Sequence, residues 1–413
     1  MTVKGSETQS KKLSKKRRHK LNDAVIVSAA RLPIGKFGGA LKDVSDWDLG
    51  TIVIAEAIKR AGLKGDDIDE VIMAHGFRTG DLPANSSRAV ALRAGIPIQV
   101  PQFTINKACG GSLRAVSLAA QLIKAGENEA VIAGGMESMS RAAFIITKAR
   151  WGYRLGHGQL IDPLVLFDPI SGFSLGQTGE NVADLYKISR EDQDRFALSS
   201  QKKAENAIKS NKFKEEIVSV QVPQPNRPPV IFDTDEHPRF DTTLEALSKL
   251  KPAFREDGTI TAGNASGLND GASAVVVMSR KKANGMGIRP LVSIRSHASV
   301  GVKPEIMGIG PIPATQQALR KGDLELKDVG LIELNEAFAA QSLAVIRELH
   351  FDLEKVNVNG GAIALGHPIS ATGSILLTKI IYEMKRRNVQ FGLVTMCIAG
   401  GQGIAMIVEN EQT

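Results

Sequence analysis

Two cysteines occur in the 413 residues of this chain, and both are set against glycine. Cys109 lies in Asn106-Lys107-Ala108-Cys109-Gly110-Gly111-Ser112, and Cys397 in Met396-Cys397-Ile398-Ala399-Gly400-Gly401-Gln402-Gly403. A third glycine-rich segment, Asn359-Gly360-Gly361-Ala362-Ile363-Ala364-Leu365-Gly366-His367-Pro368, presents a histidine in the same setting. Two thiols and one imidazole on tight backbone have the chemistry of a nucleophile, a proton donor and a base. Cys109 reads as the end of a strand and the start of a helix, where free N–H groups and the helix dipole favour thiolate. Gly110 and Gly111 would let those N–H groups approach an acyl group closely. The plainer reading of Cys109 is a buried, inert thiol at a helix start, and that of His367 is a satisfied structural residue. Against the latter stand Gly366 and Pro368, which fix its loop, and the need of a reactive thiol for a nearby imidazole. Hydrolysis by a cysteine–histidine pair needs one thiol. The second, Cys397, implies another proton transfer, at a carbon or a leaving sulfur, and so carbon–carbon bond making or breaking.

Other uses of the cysteines fit the chain less well. Disulfides serve small secreted domains with weak cores, whereas this chain is long and 43% hydrophobic. Structural zinc is not expected, because neither cysteine lies in a CxxC or CxxH pair and the seven histidines are scattered. The net charge of +8 resides almost wholly in residues 1–20, where eight Lys/Arg face Glu7 and leave +1 for the rest. A nearly neutral body argues against nucleic acid as a partner. The tail reads as a disordered, solvated segment, with an anionic-surface contact or a targeting signal as sharper alternatives. Lys12-Leu13 and His19 approach a peroxisomal signal, but Lys20 stands where Leu or Ala is expected. No apolar run reaches the ~18 residues of a membrane span, and no secretory signal opens the chain. The expected location is cytoplasmic, with peroxisome and mitochondrial matrix as alternatives.

The elements that must position these groups follow an α/β alternation from residue 22. Ala24–Ala30 reads as a strand, Leu49–Leu63 as a helix, Val71–Ala74 as a strand, Ser86–Ala94 as a helix, Phe103–Asn106 as a strand, and Leu113–Ala125 as a helix closed by Gly126. The segment Gly62–Ile72 can be laid over Asp323–Glu333 at an offset of 261. Carried on from Cys109, that offset lands at 370, inside the His367 loop. Nucleophile and base would then occupy equivalent strand-to-helix corners of two half-chains. Between the halves, from about 141 to 262, the alternation fades and Gly, Pro and charge increase, with one amphipathic helix around Arg190–Ser210. Four parts are expected: a basic tail (1–21), an N-terminal half (22–140 plus 263–285), an inserted loop domain (141–262) and a C-terminal half (286–413).

At this point the chain resembles the thiolases, the family of acetyl-CoA acetyltransferases and 3-ketoacyl-CoA thiolases. The likeness runs from about residue 22 to 410. Its carriers are Arg31–Gly39, the Cys109 motif, Gly134–Ser140, Gly263–Ala272, Asn335–Ala339, the His367 loop and the Cys397 loop. The resemblance implies an α/β thiolase fold of five layers, α/β/α/β/α, with two similar halves and an inserted loop domain. It implies that Cys109 carries the acyl group, that His367 activates it, and that Cys397 moves the Cα proton of a second acetyl-CoA. Asn335 would hold a water that forms one oxyanion hole with His367, and the N–H groups of Cys109 and Ala399 would form the other. Ser266 would contact pantetheine, Arg239 the adenine and phosphates of CoA, and Met307 the acyl group. Plainer uses are a helix cap for Asn335, a turn residue for Ser266 and a surface charge for Arg239.

Three departures from the family pattern stand out: Ala399 and Ser370 replace usual glycines, and Ser174-Leu175 replace the His-Met of short-chain biosynthetic members. The activity implied is acyl-CoA:acetyl-CoA C-acyltransfer, either condensation of two acetyl-CoA to acetoacetyl-CoA or thiolysis of 3-oxoacyl-CoA. CoA is substrate and product, with no separate cofactor, and a homodimer or homotetramer is expected. The alternatives are a longer-chain degradative thiolase of fatty-acid β-oxidation and, from another class, a non-catalytic binding protein recruited by its basic tail. A decarboxylating ketoacyl synthase would leave Cys397 unexplained, and no GxGxxG follows the first strand to support a dinucleotide.

Overall fold

The computed structural model of the chain describes residues 23–77 and 85–411; the basic tail expected at 1–21 lies outside them. One mixed sheet runs through the molecule. Its strands are β1 (Ala24–Arg31), β2 (Glu70–Ala74), β3 (Gln102–Ile105), β4 (Ala130–Ser138), β5 (Asn269–Ser279), β6 (Val292–Gly301), β7 (Leu331–Leu334), β8 (Phe391–Ile398) and β9 (Gln402–Asn410). They follow the order β7-β8-β9-β6-β1-β5-β4-β2-β3, and the short segment Gly35–Lys36 pairs with β5. The principal helices are α1 (Asp46–Ala61), α2 (Gly111–Ala125), α3 (Leu175–Tyr186), α4 (Arg190–Lys209), α5 (Pro311–Gly322), α6 (Ala339–Leu349) and α7 (Thr372–Arg387).

The sheet joins its halves where β1 pairs with β6, at Val25↔Ser293 and Ile26↔Val292. Side chains alternate across each half, because successive residues of a strand face opposite sides. On β5, Val275 and Val277 pack inward with α2 and α7, while Val276 faces outward with α1. On β8, Val394 and Met396 join that central cluster, whereas Leu393 packs outward with Ala314 and Ala318 of α5 and Val345 of α6. The layers are therefore helix, sheet, helix pair, sheet, helix. Strands apolar on both faces are what two covering layers require.

The internal repeat is carried in the element starts. β2 begins at 70 and β7 at 331, α2 at 111 and α7 at 372, β4 at 130 and β8 at 391, each pair separated by 261. The two central helices meet at their N-termini, where the Ser374 N–H donates to Ser112 Oγ at 2.9 Å. A Cβ on Gly373 would lie 2.6 Å from the Leu113 nitrogen, so only glycine lets α7 come this close.

The insertion is more ordered than its sequence indicates. It holds α3 and α4 and three two-stranded ribbons, among them Val220–Gln224 with Arg227–Phe232. The α3 sequence, Leu175-Gly176-Gln177-Thr178-Gly179, reads as a loop because glycine disfavours helix. Its glycines answer to tertiary packing instead: a Cβ on Gly176 would meet the Phe254 ring at 2.2 Å, and one on Gly179 the Phe338 ring at 3.0 Å. Ser174, one of the departures, starts the helix by accepting from the Gln177 N–H. Arg31 fastens the insertion to β1. Its Nε donates to Glu216 at 2.7 Å and its two terminal nitrogens to Asp235 at 2.7 and 3.0 Å, all fully buried.

Candidate active site

Cys109 sits in a 3₁₀ turn, Ala108–Gly110, between β3 and α2. The turn is sharp: Ala108 has φ +41°, a left-handed conformation that costs a non-glycine residue about 1 kcal/mol or more. Asn106 holds it, its Oδ1 accepting from the Ala108 N–H at 3.0 Å and its Nδ2 donating to the Gly76 carbonyl at 3.2 Å. Burial pushes the Cys109 thiol up to about 11, and the N–H groups of Ala399 and of Cys109 itself pull the other way. The helix start expected to favour thiolate is thus outweighed by desolvation. The resting sulfur is protonated and needs a base.

His367 is fixed on every side. Gly366 takes φ +105°, and a Cβ there would lie 2.5 Å from the Asn269 amide. The Asn269 Oδ1 accepts from the His367 N–H at 2.9 Å. On the ring, Nδ1 lies 2.6 Å from Thr372 Oγ1 and Nε2 lies 3.4 Å from Asn335 Nδ2. Burial lowers the imidazole to about 4, so the ring is neutral near pH 7. Asn335 is fully buried, and α6 begins only at Ala339 behind Phe338, so it does not cap that helix.

Cys397 lies near the end of β8, paired with Gly403 of β9. It packs in a cluster with Met307, Ala337 and Phe338, and its burial, with Cys109 nearby, pushes its thiol up. Both cysteines are free thiols. In the turn after β8, Gly400 and Gly401 take φ +81° and +78°, while Ala399 is not among the left-handed residues. The Cβ of Ala399 is therefore tolerated where the family usually has glycine, and its N–H faces Cys109.

A cavity of about 610 Å³ gathers these groups. Cys109, His367 and Cys397 line it together with Arg239, Ser266 and Met307. Asn335 and Ala399 stand behind that lining, the first against His367 and the second against Cys109. Arg239 is exposed at the mouth, its N–H held by Gln201 Oε1 at 2.9 Å. Leu164, Leu166, Leu175 and Phe254 add an apolar wall. Among the described residues no group of three His, Cys, Asp or Glu side chains is placed to hold a metal. Ser370, the other replaced glycine, is buried in the turn after His367, and its N–H donates to Glu137 at 3.2 Å. Glu137 also accepts from Gly76 and Phe77, and burial raises it to about 7.

Family models described as the N-terminal and the C-terminal domain of thiolase match residues 24–281 and 288–410. The chain belongs to the thiolase family. This thiolase is 53% identical to an acetyl-CoA acetyltransferase of Syntrophomonas wolfei, covering 94% of this chain and 99% of that one. It is 50% identical to an acetyl-CoA acetyltransferase of Escherichia coli, over 94% and 99% of the two chains. Among solved structures, the Bacillus anthracis acetyl-CoA acetyltransferase superposes with a TM-score of 0.92 at 46% identity, covering 94% of this chain and 98% of that one. Human mitochondrial 3-ketoacyl-CoA thiolase in complex with CoA gives 0.91 at 41% identity, with coverages of 94% and 98%.

Sequence reasoning passed over three residues of this thiolase's site. Thr372 and Asn269 lie inside or beside motifs it had marked, the His367 loop and Gly263–Ala272, so their position was available although their contacts were not. Glu137, in Gly134–Ser140, is 233 residues from the Ser370 N–H it holds, and no local pattern signals that contact.

Proposed function

We propose that this thiolase is an acyltransferase that condenses two acetyl-CoA to acetoacetyl-CoA and runs the reverse thiolysis through an acyl-Cys109 intermediate. One observation carries the reading: two free buried thiols and one neutral imidazole line a single cavity. His367 Nε2 takes the Cys109 proton as the sulfur attacks the first thioester, and the departing CoA sulfur takes the Cys397 proton. The Cys397 thiolate then removes the Cα proton of the second acetyl-CoA. A thiol held high by burial makes a strong conjugate base, which suits a weakly acidic C–H. The carbanion attacks the acetyl thioester, and the Cys109 sulfur leaves with the proton returned by His367. The N–H groups of Cys109 and Ala399 cradle the oxyanion of the thioester on Cys109, a pair worth roughly 3 kcal/mol each in the transition state. Asn335, through a water shared with His367, serves the other. Ser266 and Arg239 hold CoA, and Met307 meets the acyl group.

The apolar wall of Leu164, Leu166, Leu175 and Phe254 favours a second reading, thiolysis of longer 3-oxoacyl-CoA. Thiolysis rates on 3-oxoacyl-CoA substrates of rising chain length decide between the two. Activity confined to acetoacetyl-CoA selects the first, a broad profile the second, and full activity in Cys109→Ala refutes both. The proposal includes a homo-oligomer acting in the cytoplasm, carried by the family resemblance. A non-catalytic binding role leaves the complete site without a use.

A further inference from the structure

The imidazole of His367 makes two ring contacts, one at each nitrogen. Thr372 Oγ1, 2.6 Å from Nδ1, can donate or accept. The amide nitrogen of Asn335, 3.4 Å from Nε2, can only donate. Turned about its last side-chain bond, the same amide would offer Nε2 its Oδ1, which is buried without a hydrogen-bond partner, so the tautomer is set by the reaction and by Thr372. Nε2 must be bare to take the Cys109 proton, which leaves the proton on Nδ1, where the Thr372 hydroxyl oxygen accepts it.

Resting on the reading of His367 as the base, we propose that Thr372 is a positioning residue that fixes the reactive tautomer of His367, completing a Cys109–His367–Thr372 chain. Its hydroxyl stands on a start of α7 that cannot drift: two residues on, the Ser374 N–H is tied to Ser112, and two residues before, the Ser370 N–H is tied to Glu137. The opposite end of the histidine is clamped by Asn269. A hydroxyl orients the ring as a carboxylate would but offers no negative charge to an imidazolium. Burial lowers the ring to about 4 with no charged partner opposing it, and the N-terminus of α7 disfavours a cation as well. The ring thus binds the thiol proton weakly and returns it to the Cys109 sulfur when the acyl group departs.

The test compares Thr372→Val, an isostere without the oxygen, with Thr372→Ser, using acetyl-CoA and acetoacetyl-CoA and His367→Asn as reference. Losing the tautomer is expected to lower kcat by about 10²–10³ in Thr372→Val, with KM within threefold, and Thr372→Ser should stay within tenfold of wild type. ¹⁵N spectra of histidine-labelled wild-type protein, with the His367 signals identified by their loss in His367→Asn, should show a protonated Nδ1 and a bare Nε2. Wild-type kcat in Thr372→Val, or a protonated Nε2 in wild type, overturns the proposal. Equal damage in folded Ser and Val variants overturns it too. Should the Val variant not fold, the wild-type spectrum decides alone. Wild-type turnover in His367→Asn would instead defeat the underlying assignment of the base.

Discussion

Replacing Arg31 by methionine removes the cation between Glu216 and Asp235 and leaves both carboxylates fully buried. Breaking one side of such a buried pair costs about 3–5 kcal/mol. Protonation bounds the share carried by Glu216: neutralising a carboxyl of ordinary value 4.5 at pH 7 costs roughly 3.4 kcal/mol. Glu216 is already raised by its burial, with Arg31 as the main opposing influence, so the variant should lift it further. The sign follows. A carboxyl raised in the folded state destabilises increasingly as pH rises above its unfolded value, so the gap between wild type and Arg31→Met should widen from pH 5 to pH 8. At about 2 °C per kcal/mol for a large chain, the midpoint should fall by about 6–10 °C at pH 7. Thermal scans at one fixed rate, at both pH values, measure this. Arg31→Lys keeps the charge but cannot bridge both carboxylates, and it should fall in between. A shift below 2 °C, or one independent of pH, would refute the view that this triad anchors the insertion. Activity should fall too, because Asp235 also holds the Ile34 N–H at 2.8 Å and His237, two residues on, lines the active-site cavity.

Ala399→Gly should leave kcat/KM within about threefold, because the N–H is kept and the left-handed turn belongs to Gly400 and Gly401. Its stability should drop by about 0.4–1 kcal/mol through the freer unfolded chain, read from urea midpoints; a large loss of rate would mean that the Ala399 side chain itself is used. His237 is lowered to about 4 by burial and the neighbouring Arg239, so its contribution to stability is complete above its unfolded value of 6.5 and is lost as pH falls towards 4. Relative to His237→Gln, wild type should therefore lose roughly 2 kcal/mol between pH 7 and pH 5. Parallel urea midpoints across that range would contradict it.

Much of the fold was legible because the signals were local. Short apolar, β-branched runs gave β1, β2 and β3, and the 261-residue offset anticipated the separation of 111 from 372 and of 130 from 391. The chemistry was legible for the same reason: Cys109 and His367 sit in glycine-rich turns and Cys397 ends a strand just before one. What stayed hidden depends on tertiary contacts. Helix α3 looked like a loop because Gly176 and Gly179 make room for Phe254 and Phe338. The helix start at Cys109 pointed to a thiolate, yet burial raises the thiol, and burial is a property of the assembled layers. Arg31 reaches Glu216 and Asp235, 185 and 204 residues away, and Glu137 reaches Ser370, 233 residues away.

The central claim is a division of labour: Cys109 carries the acyl group and Cys397 moves protons. Acetyl-CoA labelled in the acetyl group, mixed with wild type, Cys109→Ala and Cys397→Ala, quenched in acid and mapped by peptide, tests it most directly. The label should be found on the Cys109 peptide in wild type, be absent in Cys109→Ala, and persist in Cys397→Ala while acetoacetyl-CoA formation falls by at least about 10³. Label on the Cys397 peptide, or full condensation without Cys397, would contradict the account.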